Sequence, residues 1–171
     1  MKSKPDRFKD KVVFITGAGS GIGYGLALEL AQRCSVIVIS DINATRLVSI
    51  EAELKTKKAK VFSFQLDVSD QSAFQKAIHN TVEKYGQIDY LFNNAGIAVG
   101  GLVNDITICE WEKVLSINLM GVIHGIDAVY PVMVKQGSGH IVNIGSIEGL
   151  IPFPGHIPYT TSKYAVVGLS H

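Results

Sequence analysis

Tyr159 and Lys163 stand four residues apart where the sequence, from about Pro158 onward, reads as a helix. Residues at i and i+4 on a helix share a face, with Cβ atoms roughly 5–6 Å apart. An ammonium that close lowers a phenol pKa from its ordinary value of about 10. A phenol poised nearer neutrality can take a proton from an alcohol or return one to a carbonyl. Of the six tyrosines only Tyr159 has a lysine at this spacing, although such a pair also occurs by chance on helix surfaces. Ser146, just past the apolar run 140–144, could hold a substrate oxygen; read alone it is a turn serine. Asn118 begins a helical stretch and reads equally as its cap. Glu148 and His156 read as loop residues near a substrate, and His124 as a packed helix residue.

A second stretch supplies what such an acid/base needs beside it. Thr16-Gly17-Ala18-Gly19-Ser20-Gly21-Ile22-Gly23 follows the apolar run 12–15 and precedes an apolar helix opening. Glycines permit a tight turn and close approach of backbone to a ligand. A helix N-terminus offers free N–H groups and the positive end of a dipole to a phosphate. The stretch reads as a cradle for a dinucleotide pyrophosphate, although glycine-rich turns also serve purely structural ends. Asp41 closes the second strand and can accept hydrogen bonds from an adenosine ribose while repelling a 2′-phosphate. No Lys or Arg stands between Gly17 and Gly23 or directly after Asp41. The expected cofactor is therefore NAD rather than NADP; a helix-capping role is the alternative for Asp41.

The elements that must position these residues follow from pattern. Apolar runs at 11–15, 36–39, 60–66, 88–92 and 140–144 read as strands buried on both faces. Helical periodicity separates them. Asn43 and Asp70 read as N-caps, Thr107 and Glu110 as a capping box, and Gly86 as a helix stop. Pro131 is expected to kink or end the helix that runs from about Asn118 to Lys135, and Gly137-Ser138-Gly139 to break it. Alternation of strand and helix predicts an α/β fold, a doubly wound parallel sheet of order 3-2-1-4-5 with helices on both faces. Ligand is then expected beyond the carboxyl ends of the strands, at the switch between strands 1 and 4.

Composition excludes other classes. With 16 Lys+Arg against 15 Asp+Glu in 171 residues, nothing in the charge balance points to nucleic acid. The tail residues Lys2, Lys4 and Arg7 read as a solvated end. Cys34 and Cys109 form no CxxC and no disulfide framework, which suggests a reduced, cytoplasmic setting. The N-terminus lacks the apolar core of a signal peptide, and no unbroken apolar run approaches the ~18 residues of a membrane span. No histidines pair at metal-ligand spacing.

Thr16-Gly-x-x-x-Gly-Ile-Gly23, Asp67-Val68, Asn93-Asn94-Ala95-Gly96, Asn118, Ser146 and Tyr159-x-x-x-Lys163 occur in that order. In this the sequence resembles the short-chain dehydrogenase/reductase family from about Phe8 to His171. The resemblance implies a Rossmann-like NAD(P)-binding domain over residues 1–171 that moves a hydride between NAD(H) and a small alcohol or carbonyl substrate. It implies Tyr159 as general acid/base, Lys163 as the group that binds the nicotinamide ribose and lowers the tyrosine pKa, Ser146 as the holder of the substrate oxygen, and Asn118 as the holder of a water in a proton relay. Gly17, Ser20, Gly21, Ile22, Gly23, Asp41, Asp67, Val68, Asn93, Asn94, Ala95 and Gly96 would line the cofactor. Helices after Asn118 and from Pro158 pair between subunits in this family, so a homo-oligomer is expected. Family members continue past the Tyr-Lys helix into two more strands and a substrate-binding segment. The expectation is therefore a member truncated at its C-terminus, with the fifth strand as an open edge. The alternative to an active enzyme is a catalytically impaired dinucleotide-binding fragment. Pro152-Phe153-Pro154-Gly155 suggests a rigid, partly apolar rim and no particular substrate.

Overall fold

Five strands, β1 Val12–Thr16, β2 Val36–Asp41, β3 Lys60–Gln65, β4 Tyr90–Asn93 and β5 His140–Asn143, form one parallel sheet in the order β3-β2-β1-β4-β5. The computed structural model describes residues 7–33, 36–57 and 59–171. Lys2, Lys4 and Cys34 lie outside the described residues. The sheet order is the one the alternating pattern predicts.

Side chains alternate across the pleat, and β1 uses both faces. Val13 and Ile15 join Ile37 and Ile39 against helices α1 Gly21–Ala31 and α2 Ala44–Thr56. Val12 and Phe14 join Val38 and Leu91 against α3 Gln71–Tyr85 and α5 Gly121–Gln136. Burial on both sides is why these strands read as continuous apolar runs rather than alternating ones. The chain winds outward from β1 in both directions, so a cleft opens where β1 and β4 lie side by side.

The predicted helix ends are present. Asn43 accepts from the Arg46 N–H and Asp70 from the Ala73 N–H. Both arms of the Thr107–Glu110 capping box are made at the start of α4 Ile108–Leu115. Gly86 closes α3 in the left-handed region at φ 80°.

One expectation is corrected between α4 and β5, and one is narrowed. Asn118 neither begins nor caps a helix; it lies inside a π-helical turn, Ser116–Met120, that joins α4 to α5. Of the two outcomes open at Pro131, the helix end is not seen: α5 continues to Gln136, close to the expected end near Lys135. The proline's missing N–H falls on the exposed side of the helix, where the carbonyl of Asp127 can be hydrated, so the lost bond costs less than in a core. The result is one helix of 29 residues, Ile108–Gln136, long and apolar enough to cross a membrane by length and composition, which no unbroken apolar run in the sequence announces. Its inner side, including Val129 and Met133, packs on the sheet and on α3 as a core helix does.

The same helix carries a close approach that tests the packing. A Cβ on Gly125 would lie 2.3 Å from Asn93 Oδ1 and 2.9 Å from Phe74 Cζ. Both neighbours are buried and Asn93 donates to Asn143 across β4 and β5, so neither can swing away. Gly125→Ala is expected to destabilise by about 1–3 kcal/mol, read as a lowered denaturant midpoint at unchanged slope; an unchanged midpoint would disprove the contact. Last in the described sheet, β5 pairs only with β4, and Ile141, Val142 and Ile144 are half-buried, as an edge strand requires.

Candidate active site

The cradle is held open by a stitch between the ends of β1 and β4. Thr16 Oγ1 accepts from the N–H groups of Asn94 and Ala95, at 3.0 and 3.1 Å. Asn94 Nδ2 donates to the carbonyls of Thr16 and Gly17, at 2.9 and 3.1 Å. Asn94 therefore borders the cleft, but its amide is engaged in holding the turn rather than free for a ligand. Gly17 and Gly21 adopt φ +63° and +56°, a conformation glycine accepts without steric cost. A Cβ on Gly23 would lie 2.4 Å from the Gly17 carbonyl oxygen. Gly23 is thus a packing glycine under the turn, and the structure does not place it on the cavity wall.

A cavity of about 500 Å³ opens above this turn. One end is walled by Asp41, Arg46, Asp67 and Val68, the middle by Gly17, Ser20, Gly21 and Ile22, and the other end by Ala95, Gly96, Tyr159 and Lys163. All but two of the residues expected to hold the cofactor are there; Gly23 packs under the turn and Asn93 is buried in β4, where it donates to Asn143. Asp41 is fixed by two backbone donors, Gly19 N–H to Oδ2 at 2.8 Å and Asn43 N–H to Oδ1 at 2.9 Å. Asp67 Oδ1 accepts from the N–H and hydroxyl of Ser69. Ile22 is 67% exposed at this surface, which is apolar area that a bound ligand would cover.

Sequence reasoning missed Arg46. It stands in the first turn of α2, placed there by the Asn43 cap, and lines the same cavity end as Asp41. The missing signal was three-dimensional: only the first turn of α2 brings a residue five positions beyond Asp41 back to the cleft. Ile97, Ala98, Ile117 and Ile144 also line the cavity unannounced.

At the far end, α6 Ile157–Leu169 presents Tyr159 and Lys163 together. Lys163 Nζ lies 5.5 Å from the Tyr159 ring centroid. The lysine is only 5% exposed and donates one hydrogen bond, to the Ile144 carbonyl at 2.7 Å. Burial pushes its pKa below the ordinary lysine value. An ammonium has three donors, so beyond the bond to Ile144 it has N–H groups to offer ligand hydroxyls in the cavity that Lys163 lines.

Asn118 is buried and almost fully used. Its Oδ1 accepts from the Ile97 N–H at 2.8 Å, and Nδ2 donates to the Ile97 carbonyl at 2.8 Å and to Ser162 Oγ at 3.0 Å. Ser162 Oγ in turn donates to the Tyr159 carbonyl at 2.6 Å. The side chain ties the loop after β4 to the helix bearing Tyr159; both amide hydrogens are engaged. Ser146 Oγ accepts from the Glu148 N–H at 3.2 Å at the start of a 3₁₀ turn, Ile147–Gly149. It therefore does act as a turn serine, and its own hydroxyl hydrogen is still available. His124 is buried with Nδ1 2.9 Å from the Val68 carbonyl, a packing role as expected. Glu148 and His156 do meet, at 3.2 Å between Oε1 and Nδ1. Among the described residues no group of acids, histidines and cysteines could hold a metal ion.

These residues fit a dinucleotide. The turn that needs positive φ borders the cavity, an acid stands at one end, and a buried cation at the other. The short chain dehydrogenase family model matches residues 11–171. The chain is 37% identical over 164 residues to the 3-oxoacyl-acyl-carrier-protein reductase FabG of Thermotoga maritima, covering 96% of this chain and 67% of that protein. It is 39% identical to levodione reductase of Leifsonia aquatica, covering 98% and 64%. In structure it is similar to a short chain dehydrogenase/reductase from Burkholderia phymatum in complex with NAD, with a TM-score of 0.94, 36% identity, and 96% and 59% coverage. The chain thus spans about three-fifths to two-thirds of the length of these relatives. A family model matched along nearly the whole chain agrees with a cleft built at the β1–β4 switch, and the chain belongs to the short chain dehydrogenase family.

Proposed function

We propose that this chain forms the cofactor-binding and proton-transfer part of an NAD-dependent oxidoreductase acting on a small alcohol or carbonyl. The observation that carries the reading is Lys163, a buried ammonium beside Tyr159 in the same cavity as the glycine turn. NAD, when bound, supplies the carbon that accepts or returns a hydride. The chain's residues do the rest. Tyr159 takes the proton from a substrate hydroxyl as its carbon is oxidised, and returns it in the reverse direction. Lys163 stabilises the negative charge that develops on the phenolic oxygen and holds ribose hydroxyls with its remaining donors. Ser146 donates its hydroxyl hydrogen to the substrate oxygen. Asn118 positions α6 through Ser162; a water relay could use only its oxygens, since its amide hydrogens are engaged. The outer face of α5, with Tyr130 and Val134 both 61% exposed, is the surface we assign to a homo-oligomer.

Asp41 carries the preference for NAD, and Arg46 tempers it, because a cation at the same cavity end would attract a 2′-phosphate. The expected titration gives NAD the tighter binding. Asp41→Asn keeps an acceptor for the Gly19 N–H but removes the charge, so the NAD/NADP affinity ratio is expected to fall about tenfold. Tighter binding of NADP by the unsubstituted protein would overturn the assignment. The second reading, a binder without turnover, would be favoured by cofactor binding with no reduced nicotinamide formed across a broad panel of secondary alcohols.

A further inference from the structure

Glu148 touches both sides of the proposed reaction centre. Its backbone N–H donates to Ser146 Oγ at 3.2 Å. Its carboxylate reaches α6 at two points that bracket Tyr159: Oε2 accepts from Thr160 Oγ1 at 2.8 Å, and Oε1 pairs with His156 Nδ1 at 3.2 Å. His156 is the residue at which α6 begins, and its carbonyl accepts from the Thr160 N–H. The side chain of Glu148 is only 13% exposed, against 40% for His156. A shielded carboxylate with two directed partners holds its geometry better than an open surface pair. Burial alone would raise its pKa, but the hydrogen bonds from Thr160 and His156 outweigh it and keep the carboxyl below the usual glutamate value.

We infer that Glu148 is a positioning residue, a clasp that sets the Ser146 hydroxyl against the Tyr159 phenol by gripping both flanks of Tyr159. Sequence reading leaves Glu148 and His156 as loop residues because nothing in their spacing announces the contact. The 3₁₀ turn makes it possible: Ile147–Gly149 folds back on α6, and a Cβ on Gly149 would lie 2.7 Å from the Lys163 carbonyl. Turn and helix are therefore in backbone contact, and the carboxylate fixes their slide and rotation. The loop after β4 closes the third side, with Gly101 N–H donating to the Gly155 carbonyl at 2.8 Å and Gly100 against the His156 ring.

The clasp rests on the reading of Tyr159 as proton carrier, so its test has two readouts. In the complete natural protein, Glu148→Ala is expected to lower kcat about tenfold or more, because small misplacements of reacting groups are costly. NAD affinity should stay unchanged, since Glu148 is not on the cavity wall. Glu148→Gln can still accept from Thr160 and donate to His156, and should retain most of the turnover. Glu148→Ala combined with Thr160→Val should lose little more than Glu148→Ala alone, as expected of partners in one contact. Independently of turnover, amide exchange over 157–163 should quicken in Glu148→Ala. A wild-type kcat in Glu148→Ala, or a matching loss of NAD affinity, overturns the proposal. If Tyr159→Phe keeps turnover, the proton-transfer reading fails, while the exchange measurement still decides whether the clasp exists.

Discussion

Tyr159→Phe is expected to lower turnover about 10²–10⁴-fold while NAD binds as tightly as before. The substitution keeps the ring and removes one oxygen. The ring is half-buried, and the hydrogen bond that Tyr159 provides to the fold comes from its backbone carbonyl, which accepts from Ser162. The helix should therefore keep its position, and with it the buried Lys163 and its bond to Ile144. What disappears is the group proposed to carry the proton. Three measurements separate the parts: steady-state kcat, a cofactor titration and a thermal melt. Turnover within a few-fold of the unsubstituted protein sinks the assignment of Tyr159. Loss of NAD binding alongside turnover would mean that the phenol holds the cofactor rather than the proton.

The Tyr159–Lys163 pair was legible because helix geometry is local: four residues in sequence translate directly into a shared face. The glycine turn was legible for the same reason, since strand, turn and helix are consecutive. Caps at Asn43, Asp70 and Thr107 depend on bonds spanning three residues and were readable as well. What the chain hid are contacts made by the sheet. Asp41 meets the Gly19 N–H only because β1 and β2 are neighbours. Asn94 lines the cavity as expected, but that its amide is bound to Thr16 and Gly17 was hidden, since only the pairing of β1 with β4 brings them within reach. The π turn at Asn118 could not be seen because Ser116-Ile117-Asn118-Leu119-Met120 has ordinary helical composition. The slip to i→i+5 bonding leaves no mark on periodicity over five residues. Pro131 left open whether α5 would kink or end, and the helix runs through it to Gln136. A proline rule written for helix interiors is weakened where the unpaired carbonyl faces water.

Gly23→Ala is expected to disable the cradle itself. The two nearest obstacles to its Cβ are the Gly17 carbonyl oxygen at 2.4 Å and Asn94 Nδ2 at 2.5 Å. Neither is the free end of a flexible side chain. The Gly17 carbonyl belongs to a residue at φ +63° whose own Cβ position is blocked by Ala95 Cα at 2.8 Å. Asn94 Nδ2 is held by the Thr16 and Gly17 carbonyls. A methyl group must therefore either push the turn away from α1 or break the β1–β4 stitch. Overpacking of this kind costs about 1–3 kcal/mol, and a lost amide hydrogen bond adds about 1 kcal/mol. The turn that moves is the wall formed by Gly17, Ser20 and Gly21, so NAD affinity should fall more than tenfold together with stability. Gly25, two residues further along α1, is the internal control. A Cβ there meets nothing within 4 Å, and alanine is favoured over glycine inside a helix by about 1 kcal/mol. Gly25→Ala is expected to leave NAD binding intact and to raise the unfolding midpoint. Opposite signs for two chemically identical substitutions in one helix would locate the effect in the contact beneath the turn. Equal effects at Gly23 and Gly25 would trace it to helix propensity and refute the packing role assigned to Gly23.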